Sequence, residues 1–332
     1  MRKRFILLLA SGLLLPASSA LAATTVPPAP VANALERAGV PEAAVGIHVY
    51  NLTDDELVLD VAGDTLFNPA SVMKLITTFA ALDVLSPAFN WKTDALIDGA
   101  LFDGRLDGNL YFRGHGDPKL TLERFWLFLR ELRHRGLRDI SGNVYLDRSA
   151  FAIGAHDPAE FDGEPTRPYN VGADALLLNY KTVRLRFVPD EANERIDILS
   201  EPALPGVSII NNLALGKGHC DYWPRTPTQN ANTLAFTGVF PSGCGEKSRY
   251  YSLLEPDAYF SAVFRQLWAE LGGTLSGSVE AGTVPQDARL LASHESASLA
   301  EVVRETNKFS NNVMARHLFL SPVSYTHLRA HE

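Results

Sequence analysis

Along SVMKLITTFAALDVL, apolar residues fall at Val72, Leu75, Ile76, Phe79, Leu82 and Val84, close to the 3.6-residue period of an α-helix. Phe67-Asn68-Pro69-Ala70 supplies a start signal, so Ser71 is expected at or near the first turn of a helix largely buried in the core. Upstream, AAVGIHVYNL and ELVLDVAG read as a strand pair around Thr53-Asp54-Asp55, following a Pro/Ala-rich lead. The middle of the chain contains an echo. LERFWLFLRELRHRG carries Leu122, Phe125, Trp126, Leu129 and Leu132 on one face and leads to Ser141-Gly142-Asn143-Val144. DAYFSAVFRQLWAELGG carries Phe260, Val263, Phe264, Leu267 and Trp268 and leads to Ser276-Gly277-Ser278-Val279. Both copies are helix, glycine stop, then strand. The stretch between them, 194–249, is rich in Pro, Gly, Asn and Thr and is read as a small β-rich subdomain. Ser298-x-x-Glu301 then opens a helix ending near Asn307, Ser310-Asn311-Asn312 forms a loop, and the chain re-enters a helix. From about Ser321 neither helical nor strand patterning continues.

The first 22 residues stand apart. Arg2, Lys3 and Arg4, the apolar run Phe5 to Leu15 and the small-x-small Ala20-Leu21-Ala22 make a secretory signal peptide, with cleavage expected after Ala22. The apolar run is too short to span a bilayer, so no integral membrane segment is expected after cleavage. With 46% hydrophobic and 20% charged residues, the rest can form a sizeable core. The formal charge is −8, and −11 once the three basic signal residues are removed. With no Lys/Arg run, such a chain is a poor partner for nucleic acid or anionic lipid. The two cysteines, Cys220 and Cys244, read as a disulfide in an exported chain, worth roughly 3 to 3.5 kcal/mol on the loop-entropy account. Two free buried thiols are the alternative, and no zinc spacing involves them.

Ser71 and Lys74 form Ser-x-x-Lys, which on a helix places both side chains on one face. A serine hydroxyl needs a neighbouring base to become a nucleophile, and a lysine amine serves if burial and nearby cations lower its pKa. The helix N-terminus adds N–H groups and a positive field where an oxyanion would form. By itself the motif is cheap, since an exposed serine and lysine on a surface helix match it equally well, as is Ser310-x-Asn312. Their contexts, a strongly apolar helix after Asn-Pro-Ala and a loop between helices, raise their weight.

NPASVMKLITTFAAL and NKFSNNVMARHLF, with YFRGHGDPKLT, DISGNVYLDRSAF and PYNVGADALLLN, resemble the low-molecular-mass penicillin-binding proteins of the D-alanyl-D-alanine carboxypeptidase/endopeptidase family, peptidase family S13. The likeness runs from about Ala43 to Leu320, and Ser310 follows Ser71 by 239 residues, a separation that related β-lactamases do not have. The resemblance implies an α+β chain: a serine β-lactamase/transpeptidase-like domain, incomplete here, with a large inserted α+β domain that itself carries a small β-rich insertion. The corresponding segments are 1–22 signal peptide, 23–90 first catalytic part, 91–287 inserted domain with its inner piece 194–249, 288–320 second catalytic part, and 321–332 a non-native tail. It implies Ser71 as the acylated nucleophile, Lys74 as its general base, Ser310 as the proton relay to the leaving amine, and Asn312 as the holder of Lys74 and the substrate amide. Asn179 stands where some relatives place a substrate-contacting Asp.

The implied reaction is acyl transfer on peptidoglycan stem peptides in the periplasm, with neither metal nor cofactor, and with β-lactams acylating the same serine. The alternatives are a serine β-lactamase or esterase on the same scaffold, and a non-catalytic wall-binding protein. The family's third motif, Lys-Thr-Gly, is absent from this sequence, so the chain as written is expected to be inactive. Read back into codons, Val323 to Glu332 gives GTC TCT TAT ACA CAT CTC CGA GCC CAC GAG, which resembles the transposase adapter of sequencing libraries. The His327-x-x-x-His331-Glu332 pattern is accordingly assigned no metal function.

Overall fold

The computed structural model describes residues 24–224, 227–230 and 233–329; the expected signal segment 1–22, together with His331 and Glu332, lies outside them. The chain packs as two units, divided between Ala70 and Ser71. In the first, helix α1 (Ala29–Arg37) forms within the Pro/Ala-rich lead, where a proline in the first turn is tolerated because its missing N–H would have no partner. An antiparallel hairpin of Ile47–Asn51 and Glu56–Val61 follows. Its turn is closed by Asn51 Oδ1, which accepts the Thr53 N–H at 3.0 Å.

The second unit holds everything from Ser71 onward: helices α2 (Met73–Leu85), α3 (Leu122–His134), α4 (Pro256–Glu270), α5 (Leu299–Phe309) and α6 (Asn312–Arg329). Its five-stranded sheet runs Val279–Ala281, Val144–Asp147, Leu110–Gly114, Lys92–Ile97, Arg289–Glu295. The echo has a direct structural meaning. Asp139–Ile140 pairs in parallel with Thr274–Leu275, and Val144–Asp147 with Val279–Ala281, so the two copies lie side by side in matched register. Equivalent residues 135 apart also bond through side chains: Thr274 Oγ1 donates to Asp139 Oδ1 at 2.7 Å, and Asn143 Oδ1 accepts the Ser278 N–H at 3.0 Å. Glycine is required at Gly277, where a Cβ would stand 2.3 Å from the Gly142 carbonyl oxygen.

Helices α3 and α4 cover this sheet through aromatic rings. Phe112 lies with its centroid 5.5 to 6.0 Å from Phe125, Phe128, Phe260 and Phe264. The all-β stretch between the echo's halves begins earlier than 194. Val183–Asp190 is flanked by Arg195–Glu201 and Lys247–Tyr251, while Ser208–Gly216 pairs in parallel with Thr233–Pro241. Phe187, Trp223, Phe236 and Phe240 fill this stretch, and Cys220 and Cys244 are joined across it at 2.03 Å.

Between the strand Leu110–Gly114 and α3, the chain turns through His115 to Thr121. Asp117 is 3% exposed there. Its Oδ1 accepts the Lys119 N–H at 2.8 Å, and its Oδ2 has no hydrogen-bond partner among the described residues. Burial pushes the carboxyl up to about 6, against the Lys119 N–H and the charges of Arg124 and Lys119. A carboxyl whose folded pKa exceeds its unfolded one binds more protons when folded, so stability falls as pH rises from about 4 through 6. Asp117→Asn keeps the turn's acceptor and removes the charge. It is expected to leave stability nearly unchanged at pH 4 and to raise it by up to about 3 kcal/mol at pH 7, read from urea unfolding at both pH values. An equal shift at the two pH values would contradict this account.

Candidate active site

Ser71 lies in a 3-10 turn, Ala70–Val72, that runs directly into α2. The helical path brings residue i+3 beneath residue i, and Lys74 Nζ donates to Ser71 Oγ at 3.0 Å. Ser71 is exposed while Lys74 is only 9% exposed, so the hydroxyl meets solvent and the amine lies beneath it. Burial, and after it the positive charge of Arg316, lower the Lys74 pKa below that of an ordinary lysine.

The buried face of α2 is Lys74, Thr78, Ala81 and Leu85. That corrects the expected burial, because Val72, Leu75, Ile76, Phe79 and Val84 are between 52% and 70% exposed. The apolar stripe picked out by the periodicity is thus the exposed one; α5 and α6 select the buried face by packing against the side that carries Lys74. Ala81, Leu85, Leu299, Val302, Met314 and Leu318 form the shared core, and Asn307 Nδ2 of α5 donates to Thr78 Oγ1 of α2 at 3.2 Å.

Ser310 and Asn312 stand at the junction of α5 and α6. Ser310 caps α5 in the left-handed region, φ 52°, and is exposed; Asn312 begins α6 and is half-buried. Asn311 Oδ1 accepts the Met314 N–H at 3.0 Å, which caps α6. Packing thus brings together the helices that carry the two motifs, whereas a direct hydrogen bond joins only Ser71 and Lys74 among the four. Arg316, one helical turn beyond Asn312, supplies the cationic influence on Lys74 that motif reading missed; its i+4 spacing from Asn312 was the available signal. Its Nη1 donates to the Val171 carbonyl at 3.0 Å. It also lines a cavity of about 360 Å³ with His156, Asp157, Glu160, Phe161 and Asn170.

Asn179 is engaged elsewhere. Its Oδ1 accepts from Leu122 N–H at 3.4 Å, and its Nδ2 donates to the Thr182 carbonyl and to Tyr259 Oη, each at 3.1 Å. With Tyr180 and Lys181 it forms three consecutive residues of positive φ, and its side chain ties this turn to α3 and α4. The tail also differs from its expected form: α6 runs on through Pro322 to Arg329. Ser321 is 3% exposed, its Oγ accepts from Trp91 Nε1 at 2.8 Å, and Tyr325 packs edge-on against Phe89.

A serine hydroxyl 3.0 Å from a depressed-pKa lysine amine, at the head of a helix in an α+β chain, is an arrangement in which a serine can be activated for nucleophilic attack. The chain belongs to the D-Ala-D-Ala carboxypeptidase 3 (S13) family, whose sequence profile matches residues 28–325. It is similar to D-alanyl-D-alanine carboxypeptidase DacB of Haemophilus influenzae, at 25% identity over 279 residues, covering 83% of this chain and 58% of that protein. It is 29% identical over 310 residues to a D-alanyl-D-alanine carboxypeptidase of Actinomadura sp. strain R39, covering 86% and 55%. The crystal structure of penicillin binding protein 4 from Haemophilus influenzae shares the fold, with a TM-score of 0.71 at 24% identity over 85% of this chain and 63% of that one. A structure of the same protein in complex with a β-lactam gives 0.62 at 23%, over 82% and 60%. The chain therefore spans little more than half the length of the curated relatives it matches.

Proposed function

We propose that Ser71 is the nucleophile of a serine-type D-Ala-D-Ala carboxypeptidase/endopeptidase acting on peptidoglycan stem peptides after export to the periplasm. The observation that carries this reading is the 3.0 Å contact between Ser71 Oγ and the buried, pKa-lowered Lys74 amine. With the amine neutral, the Ser71 O–H donates to Nζ and Oγ attacks the carbonyl carbon of the penultimate D-alanine. Lys74 takes the proton, and the oxyanion is met by N–H groups at the start of α2. Ser310 then passes a proton to the leaving amine as the C–N bond breaks, leaving an ester on Ser71 that water hydrolyses. Asn312 orients Lys74 and the substrate amide. A terminal D-alanine as leaving group makes the reaction a carboxypeptidase, and a cross-link makes it an endopeptidase. A β-lactam offers the same carbonyl within a ring, and its opened amine stays tethered.

The test is incubation of the chain with a fluorescent penicillin, followed by proteolysis and mass mapping. A single stable adduct on the peptide containing Ser71 is expected, because acylation draws on Ser71, Lys74, Ser310 and Asn312, all present here, whereas the inactivity expected from the missing Lys-Thr-Gly concerns turnover of the peptide substrate. Rapid release with continuous turnover would identify a β-lactamase, and failure to label would leave only binding.

A further inference from the structure

Helix α5 is held from two sides. Thr78 of α2 grips it at Asn307, and Lys119, from the turn before α3, reaches its other flank. Lys119 Nζ donates to Glu301 Oε1 at 2.9 Å and to Glu305 Oε1 at 2.5 Å, across 182 and 186 residues of chain. Glu301 and Glu305 are one turn apart, so without a cation between them their charges repel. An exposed ion pair by itself ordinarily contributes little. Here the Lys119 side chain is 17% exposed and Glu305 30%, and one ammonium serves two carboxylates. Burial works against that ammonium, yet the two carboxylates outweigh it and hold its pKa above the ordinary lysine value. The turn presenting Lys119 is shaped by Asp117, whose carboxylate takes the Lys119 N–H.

What this grip fixes is the end of α5. Ser310 follows directly, in a left-handed conformation that a residue with a Cβ keeps only when its surroundings impose it. The side chains of Ser310 and Asn312 make no hydrogen bond among the described residues that would hold them independently. We infer that Lys119 is a positioning residue for the Ser310–Asn312 loop, acting through Glu301 and Glu305 to set where α5 ends relative to Ser71 and Lys74. It touches no reacting atom. The inference rests on the acyl-transfer reading of Ser71.

The test compares acylation of the full chain by a fluorescent penicillin in wild type, Lys119→Met, Lys119→Arg, the double variant Glu301→Gln/Glu305→Gln, and the triple variant with Lys119→Met. Lys119→Met is expected to slow acylation at saturating penicillin roughly 10-fold, as a small misplacement of catalytic groups does, with the concentration for half-saturation unchanged. Lys119→Arg should restore most of the rate. The double variant should match Lys119→Met, and the triple should be no slower, because both act through one contact. Arg135→Ala, which breaks an exposed pair with Glu131, serves as the unaffected control. A wild-type rate in Lys119→Met overturns the inference. If wild type takes no label, the functional reading fails, and hydrogen exchange then decides the positioning role. Faster exchange over 306–314 in Lys119→Met, reversed in Lys119→Arg, upholds it; unchanged exchange overturns it.

Discussion

Replacing Lys74 by arginine is expected to slow acylation of Ser71 by roughly 10²- to 10⁴-fold, the range general-base removal produces. The substitution preserves the positive charge and much of the length of the side chain. It discards the one property the reaction needs, because a guanidinium stays protonated at any working pH whereas a lysine amine does not. Lys74 is prepared for that role by burial and by Arg316, both of which favour the neutral amine. The wild-type rate should therefore climb with pH as the amine deprotonates and level off below the pH at which an ordinary lysine titrates. Arginine should abolish that rising limb. The measurement is the second-order rate of β-lactam acylation from pH 6 to 10 in both proteins. A rate within threefold of wild type in the variant would remove Lys74 from the role of base.

Phe112→Ala should cost about 3 to 5 kcal/mol. Phe112 is fully buried on the strand Leu110–Gly114, and its ring meets Phe125 and Phe128 of α3 and Phe260 and Phe264 of α4. Truncation therefore removes the contact at which both covering helices seat on the sheet, and four rings cannot all relax into one cavity. Against a total stability of about 5 to 15 kcal/mol, such a loss leaves a substantial unfolded population. The shift in urea midpoint measures it. Phe112→Leu, which refills most of the volume, should lose less than the alanine variant, and equal losses would refute the packing account.

Several features were legible from short stretches. The N-cap half of the pattern at Ser298 is present, with Ser298 Oγ accepting the Glu301 N–H, while the Glu301 carboxylate turns to Lys119. The echo was visible as repeated helix, glycine and strand, and its two copies pair with each other in register. Other features were not legible for a common reason. The partners of Asn179 are not local: Leu122 and Tyr259 lie 57 and 80 residues away. The contact of Ser321 is likewise not local: its Oγ accepts from Trp91 Nε1, 230 residues distant.

Local sequence suffices for the Ser71–Lys74 pair, since three residues of helical backbone are enough to bring the two groups together. It likewise determined the hairpin turn and the repeated helix-to-strand units, all of which depend on hydrogen bonds and periodicities within a few residues. Tertiary structure alone decided which face of α2 is buried, that Arg316 bears on Lys74, and that Lys119 grips α5. Those outcomes depend on loops that close across tens to hundreds of residues, where packing of whole elements, and not any local pattern, sets which side chains meet.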